Sequence, residues 1–215
     1  MLQHAQAPVL NQKNSNDGKI ENLVKQAYHH GRLREGLFTA ALRILERDGV
    51  DGLSMRSLAK EMGVTAAAPY SHFKSKNDIL AKVAEHGFQM LAFTMIDRAA
   101  ETTDPKGRLE NLISAFIEFS QNEKHLFTVM FQRGSFDFKA EPTLAMTAGK
   151  SYGLIQTALR NMGIDAEAIP LKAMSLWAMM FGTAELLAQD KISFEMCGAR
   201  SPRDFAERFL KTVAL

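Results

Sequence analysis

The sequence predicts an all-α protein of about nine helices, in which a three-helix domain precedes a larger helical domain. Apolar residues recur at spacings of three and four from about residue 30 onward, and no run shows the alternation that is typical of a strand. Capping residues, glycines and prolines separate these periodic stretches from one another. With 215 residues, of which 46% are hydrophobic, the chain is long enough to bury a core of its own.

The N-terminal part of the chain carries the excess of positive charge. Residues 1–28 are rich in Asn, Gln and Lys, which predicts a flexible arm. The first helical stripe follows, with Leu33 and Leu45 near its two ends. Residues 1–83 hold 12 Lys and Arg against 8 Asp and Glu, a net charge of +4 in a chain whose net charge is +2. This excess is compatible with contacts to DNA phosphates, although a solvated surface gives the same count.

Residues 54–73 read as two short helices joined by a sharp turn. Ser54 caps the first helix, and Gly63 ends it, because glycine adopts the left-handed conformation without a side-chain clash. Thr65 is expected to cap the second helix, on which Phe73 faces the core. Pro69 has no amide donor, so either one helical hydrogen bond is missing or the second helix starts later. The pattern predicts a helix-turn-helix, whose second helix lies in the major groove of DNA.

Capping residues and prolines also predict where the later helices begin and end. A long helix begins near Lys76 and links the two domains, and Asp104 followed by proline opens the next one. Further helices are expected at about residues 123–131, 142–162 and 165–189, and from Ser201 onward.

The composition argues against several other classes of protein. The single cysteine, Cys197, excludes an intrachain disulfide and fits a reducing cytoplasm. The most apolar segment, residues 173–188, is interrupted by Glu185 and is shorter than the roughly 18 residues that a membrane span requires. We therefore expect a cytoplasmic protein with no membrane partner. The sequence has no catalytic constellation, phosphate-binding loop or metal-ligand spacing, so we expect no enzymatic activity, no cofactor and no metal.

Residues 29–95 resemble the TetR family of transcriptional regulators. The resemblance is carried by the helix from Leu33 to Leu45, the linker at residues 49–54, the helix pair, and the sequence Pro-Tyr-Ser-His-Phe-Lys-Ser-Lys at residues 69–76. It implies an all-α fold and a DNA-binding function.

A second element of the resemblance extends to the C-terminal half. Residues 68–70 read Ala-Pro-Tyr where family members commonly have Thr-Leu-Tyr, which is similar to a subgroup with a Trp-x-x-x-His-Gly signature. Residues 177–182 match that signature except that Phe181 replaces the histidine. The resemblance implies a DNA-binding domain at residues 29–91 and a ligand-binding and dimerisation domain at residues 92–215.

The resemblance also implies which residues contact DNA. They are Arg32, Ser54, Thr65, Ala66, Ala67, Ala68, Tyr70, His72 and Lys76. Tyr70 offers a hydroxyl to a phosphate, with packing in the three-helix core as its alternative role, and Lys76 adds a charge at a helix start. The three alanines offer no side-chain hydrogen bonds, only apolar contacts to thymine methyls and close backbone approach, so specificity depends on neighbouring residues, on the arm or on DNA shape.

For the C-terminal domain, the resemblance implies ligand binding and a homodimer formed by the last two long helices, at about residues 167–189 and 202–213. Nine of the 12 methionines follow the helix-turn-helix, which suits a pocket for lipophilic ligands, although ordinary core packing explains them equally well. The expected pocket residues are Phe93, Phe116, Phe127, Met130, Phe131, Met174, Trp177 and Phe181.

These observations together predict a homodimeric repressor that a small lipophilic ligand releases from operator DNA. Among DNA-binding proteins, an activator and a regulator without a ligand remain as alternatives. From another class, a helical enzyme or scaffold with an incidental helix-turn-helix remains, and the lack of a catalytic constellation argues against it.

Overall fold

The computed structural model describes residues 14–132, 136–139 and 141–213, with backbone alone for residues 14–31. This part of the chain contains eight α-helices, two short 3₁₀ turns and no strand, which confirms the all-α prediction. The helices are α1 Asn14–Gly52, α2 Met55–Met62, α3 Lys76–Ala100, α4 Pro105–Asn122, α5 Lys124–Phe131, α6 Pro142–Asn161, α7 Ile169–Ala188 and α8 Pro202–Thr212. The 3₁₀ turns are Ala68–Ser71 and Glu195–Cys197. The predicted ninth helix is absent from the described residues because the second element of the helix-turn-helix is a 3₁₀ turn.

Helix α1 begins well before the predicted first helix. Residues 14–28, which the composition assigned to a flexible arm, have helical backbone, and residues 1–13 lie outside the described residues. Ile20, Leu23, Val24 and Ala27 have the spacing of a helical stripe, and the polar composition around them masked this signal. Near the other end of α1, Gly49 has φ 69° and ψ −169°, a conformation that suits glycine because it has no Cβ.

The caps of α2 follow the sequence prediction. The Ser54 hydroxyl oxygen accepts the Ser57 N–H at 3.0 Å, and the Ser57 hydroxyl oxygen accepts the Ser54 N–H at 2.8 Å. This reciprocal pair is a capping box, which satisfies two amides at the helix start. At the other end Gly63 adopts φ 65° and ψ 30°, so the chain turns away as predicted.

The first three helices enclose a small apolar core. Leu37 and Ile44 of α1, Leu58 of α2 and Ile79 of α3 are completely buried, and Phe73 joins them from the segment between α2 and α3. α1 and α2 are further joined at the surface by Arg47, whose pKa is raised by its hydrogen bonds to Asp48 and to Glu61 of α2. These contacts hold the helix-turn-helix in one orientation on α1.

The rest of the protein is built around α4. This helix is buried along nearly its whole length and packs against α3, α5, α6, α7 and α8. Its start is capped as predicted, with the Asp104 carboxylate accepting the Gly107 N–H at 2.7 Å. α7 begins at Ile169 rather than near residue 165, which places Pro170 in the first turn, where a missing amide donor is tolerated.

Helix α3 crosses the predicted boundary between the two domains. α3 continues without interruption past residue 91, the predicted domain boundary, so the DNA-binding and C-terminal parts share this helix. Within the described ranges, no helix has the length and apolarity needed to cross a membrane.

Candidate nucleic-acid interface and ligand cavity

The DNA-reading element is shorter than the sequence predicted. Thr65 does not cap a helix: the structured turn is the 3₁₀ segment Ala68–Ser71, and no side-chain cap is formed at its start. The predicted alternative, in which the helix starts later, is confirmed, because Pro69 occupies the first turn and needs no amide donor there. The Ala68 N–H instead donates to the Thr65 carbonyl at 3.0 Å, and the Tyr70 N–H donates to the Ala67 carbonyl at 3.1 Å.

Most of the predicted base-contacting residues lie on one exposed segment. Thr65, Ala66 and Ala67 are exposed, and Ala68 and His72 are half-buried. The side chain of Tyr70 is 59% exposed, which excludes the alternative role in which it only packs the core. We name residues 65–72 the DNA-reading turn.

The side chains of Ser54 and Lys76, both predicted to contact DNA, form hydrogen bonds within the protein. The Ser54 hydroxyl caps α2, and the Lys76 ammonium donates to the Val50 carbonyl at 2.6 Å, which ties the start of α3 to the end of α1. A phosphate contact by Lys76 would use the two other N–H donors of its ammonium. Arg32, on α1, is exposed.

Two exposed cations in the region of the helix-turn-helix, Arg56 and Lys74, were not predicted as DNA contacts. Arg56 lies in the first turn of α2, next to Ser54, and Lys74 lies in the short connection to α3. Both are exposed, as a phosphate contact requires. The available signal was their position, since Arg56 lies inside the helix-turn-helix and Lys74 directly follows it, whereas only Lys76, at the start of α3, was predicted as a contact.

The predicted pocket residues only partly come together. Rings of Phe116, Phe127, Phe131, Trp177 and Phe181 form a connected aromatic cluster, with centroids 5.3 Å apart for Phe116 and Trp177 and 4.6 Å apart for Phe127 and Phe131. The prediction is wrong for the two remaining outer positions: Phe93 is 70% exposed and Met174 is 55% exposed. Both directly follow a buried alanine in sequence, so each lies about 100° further round its helix, on the outward side.

A cavity of about 400 Å³ opens beside this cluster. Its lining consists of Phe88, Met130, Phe131, Gln132, Phe136, Phe138, Ala148 and Trp177. We name it the aromatic cavity. Met130, Phe131 and Trp177 were predicted from the sequence, whereas the predicted Phe116, Phe127 and Phe181 belong to the aromatic cluster and do not line the cavity. Phe88 could have been found from its place in the stripe of α3, but the residues around 136–138 appeared in the sequence only as a break between helices.

Comparison with known proteins identifies the two parts of the chain. The family model described as bacterial regulatory proteins, tetR family, matches residues 37–83, and the model described as a tetracyclin repressor-like, C-terminal domain matches residues 109–213. The chain belongs to the TetR family. It is therefore a DNA-binding transcriptional regulator rather than an enzyme, which excludes the enzyme or scaffold alternative.

Individual relatives of this TetR-family chain agree with the assignment. An uncharacterised helix-turn-helix transcriptional regulator of Haemophilus influenzae is 40% identical over 63 residues, which cover 29% of this chain and 34% of that protein. The regulator AcrR of Shigella flexneri is 26% identical over 66% of this chain and 69% of its own length. The chain thus spans about a third of the first relative and about two thirds of the second.

Solved structures of similar fold cover nearly the whole chain. A Rhodococcus sp. RHA1 protein of unknown function is 29% identical and has a TM-score of 0.68, over 87% of this chain and 96% of that one. The regulator AibR, solved with isovaleryl coenzyme A and operator DNA, has a TM-score of 0.60 at 16% identity, over 84% of this chain and 97% of its own. At that identity the likeness shows the fold alone.

Among the residues that the structure describes, no group of three His, Cys, Asp or Glu side chains is placed to hold a metal ion.

Proposed function

We propose that this regulator is a homodimeric, cytoplasmic repressor that a small lipophilic ligand releases from operator DNA. One observation carries the proposal: α3 starts beside the DNA-reading turn, and its Phe88, about three turns later, lines the aromatic cavity. A single helix therefore connects the two candidate sites.

The proposed DNA contacts centre on the DNA-reading turn. Tyr70 presents its hydroxyl to a phosphate, and the alanines allow close approach of the backbone to the floor of the major groove. Arg32 of α1, Arg56 of α2 and Lys74 in the connection to α3 are exposed, and we assign phosphate contacts to them. Their phosphate contacts position the turn and release counterions, and the base contacts select the sequence.

The proposed ligand follows from the lining of the aromatic cavity. Five aromatic rings and Met130 surround the space, and Gln132 is the single polar side chain among the described lining residues. A volume of about 400 Å³ is within the range that binds small organic molecules. Apolar walls with one amide favour a lipophilic molecule that carries one hydrogen-bonding group. The complex of AibR with isovaleryl coenzyme A shows that a regulator of this fold binds an acyl compound.

The proposed dimer forms through α7 and α8. Leu171 is 74% exposed, and Met174 and Leu186 share the exposed side of α7 with it. A cleft of about 470 Å³ runs between the start of α7 and the end of α8, and Leu171, Phe209 and Val213 lie along it. Exposed apolar residues and an apolar cleft on the same pair of helices favour a surface that a second copy covers, and two half-sites of operator DNA call for two copies of the DNA-reading turn.

The proposal is tested by electrophoretic mobility of DNA from the region upstream of this protein's own gene. We expect the wild-type protein to retard that DNA at submicromolar concentration and Tyr70→Ala to retard it weakly. Decanoic acid and decanoyl coenzyme A serve as lipophilic probes that should restore the free DNA. Equal retardation of every DNA fragment, or none at all, contradicts the proposal.

A further inference from the structure

Helices α3 and α5 approach each other most closely at Gly87. A Cβ added to Gly87 would lie 2.5 Å from Sδ and 2.8 Å from Cγ of Met130, and 2.9 Å from Cγ of Leu126. A Cβ that would lie closer than 3.0 Å to an atom of a residue distant in sequence requires one of the two to move. The missing side chain of Gly87 therefore forms a notch in α3, and α5 is seated in it through Met130 and Leu126.

The two residues of α5 that occupy this notch face different surroundings. Met130 lines the aromatic cavity together with Phe88 of α3. Leu126, one helical turn earlier, lines a second cavity of about 300 Å³ whose other walls include Leu42 and Leu45 of α1. α5 also packs directly against α1. The notch thus lies between the aromatic cavity and the helix that supports the helix-turn-helix.

We propose that Gly87 is a positioning residue for the ligand response, because it makes α5 report occupancy of the aromatic cavity to α1. A ligand that enters the cavity presses on Met130, and Met130 is already in close contact with Gly87 on its other side. The pressure moves α5 as a unit and carries Leu126 with it, so the orientation of α1 changes relative to α3. This inference rests on the proposed ligand response and adds the route by which the response reaches the DNA-binding part.

The first experiment mimics the ligand without using one. Gly87→Ala fills the notch and forces α3 and α5 apart, so we expect about tenfold weaker binding to operator DNA in fluorescence anisotropy, a typical size for allosteric coupling. Trp177, which lines the same cavity and is the only tryptophan, should change its emission in this variant. Gly149→Ala is the matched control, because it lies within a helix and an added Cβ there meets nothing within 4 Å.

A compensating substitution separates this role from a general loss of stability. Met130→Ala removes two of the three closest contacts of an added Cβ, so the double variant Gly87→Ala with Met130→Ala should recover most of the DNA affinity. If Gly87→Ala binds DNA as tightly as Gly149→Ala does, the inference is overturned. If the wild-type protein binds no DNA, the proposed function fails instead, and the two failures are thereby distinguished.

A third measurement uses the wild-type protein and does not depend on whether Gly87→Ala folds. Coupling is reciprocal, so operator DNA should slow amide hydrogen exchange in α5, which lies outside the DNA-reading turn. Helix α6, which carries Gly149, should exchange at the same rate with and without DNA. Unchanged exchange in α5 on DNA binding overturns the inference.

Discussion

Tyr70 is the residue of the DNA-reading turn whose chemistry can be isolated most cleanly. Its side chain is 59% exposed, so removal of the hydroxyl leaves the core untouched. Tyr70→Phe should weaken binding to all DNA sequences alike by about fivefold, the equivalent of one hydrogen bond of about 1 kcal/mol. The slope of affinity against salt should stay constant, because no charge is removed. Fluorescence anisotropy with Tyr152→Phe, a tyrosine of α6, as the control checks this, and an effect confined to one DNA sequence would assign Tyr70 to base recognition instead.

Lys76 illustrates how a side chain predicted to bind DNA can have a structural role. Its ammonium donates to the Val50 carbonyl at 2.6 Å, so Lys76→Ala should lower the free energy of unfolding by about 1.5 kcal/mol, as measured by urea denaturation. Lys74→Ala, an exposed position two residues earlier, should leave stability unchanged and lower the salt slope of DNA binding by about 1. A salt slope that falls for Lys76→Ala and not for Lys74→Ala would restore the prediction made from the sequence.

At the scale of helices, the sequence predicted most boundaries and missed three: the starts of α1, of the second element of the helix-turn-helix and of α7. Ser54, Asp104 and Ser201 each accept an amide from the third residue that follows, and such caps can be read from sequence because every partner lies within one turn. The predicted start of the second helix of the helix-turn-helix was wrong. Thr65 is a good cap in isolation, but Pro69 follows it and places the 3₁₀ turn later in the chain. The early start of α1 was not predicted, because the polar composition of residues 1–28 was given more weight than their short helical stripe.

The start of α8 provides a test in which pH is the variable. The pKa of Asp204 is lowered, chiefly by its hydrogen bond from Arg208 and also by the Arg200 N–H. A lowered pKa in the folded state stabilises the protein above the unfolded value of about 4 and loses that effect as the pH falls through the lower, folded value. We therefore expect Asp204→Asn to reduce the thermal midpoint at pH 7, and the difference from wild type to shrink near pH 3. A difference that is independent of pH would contradict this assignment.

At the scale of the whole molecule, the aromatic cluster was predictable, whereas only three of the residues that line the cavity were predicted. Helical spacing and the positions of Phe116, Phe131 and Trp177 indicated an apolar interior, and the structure joins these rings. Which rings face an open space depends on how helices far apart in sequence cross, and no local pattern records this. Phe93 and Met174 are exposed for the same reason, since a rotation of one residue around a helix exchanges interior for surface.

The proposed dimer can be tested without disturbing the core. Leu171 is 74% exposed in one chain, so Leu171→Glu should leave the folded monomer intact and place a charge in the interface. Multi-angle light scattering at micromolar concentration should give a dimer for the wild type and a monomer for Leu171→Glu. Met146→Glu, a substitution of another exposed apolar residue on α6, should remain dimeric. A dimer in both variants would place the interface elsewhere.

The uninterrupted course of α3 also determines how small a movement can switch this protein. Gly87 lies 11 residues from Lys76, a distance of about 16 Å along the helix axis at about 1.5 Å per residue. A tilt of about 5° at Gly87 therefore displaces the beginning of the helix by roughly 1.4 Å. A displacement of that size exceeds the range of about 0.5 Å over which hydrogen bonds to DNA keep their geometry. The displacement grows with distance from Gly87, so in the proposed ligand response a slight change in the shape of the aromatic cavity is enough to move the DNA-reading turn away from its contacts.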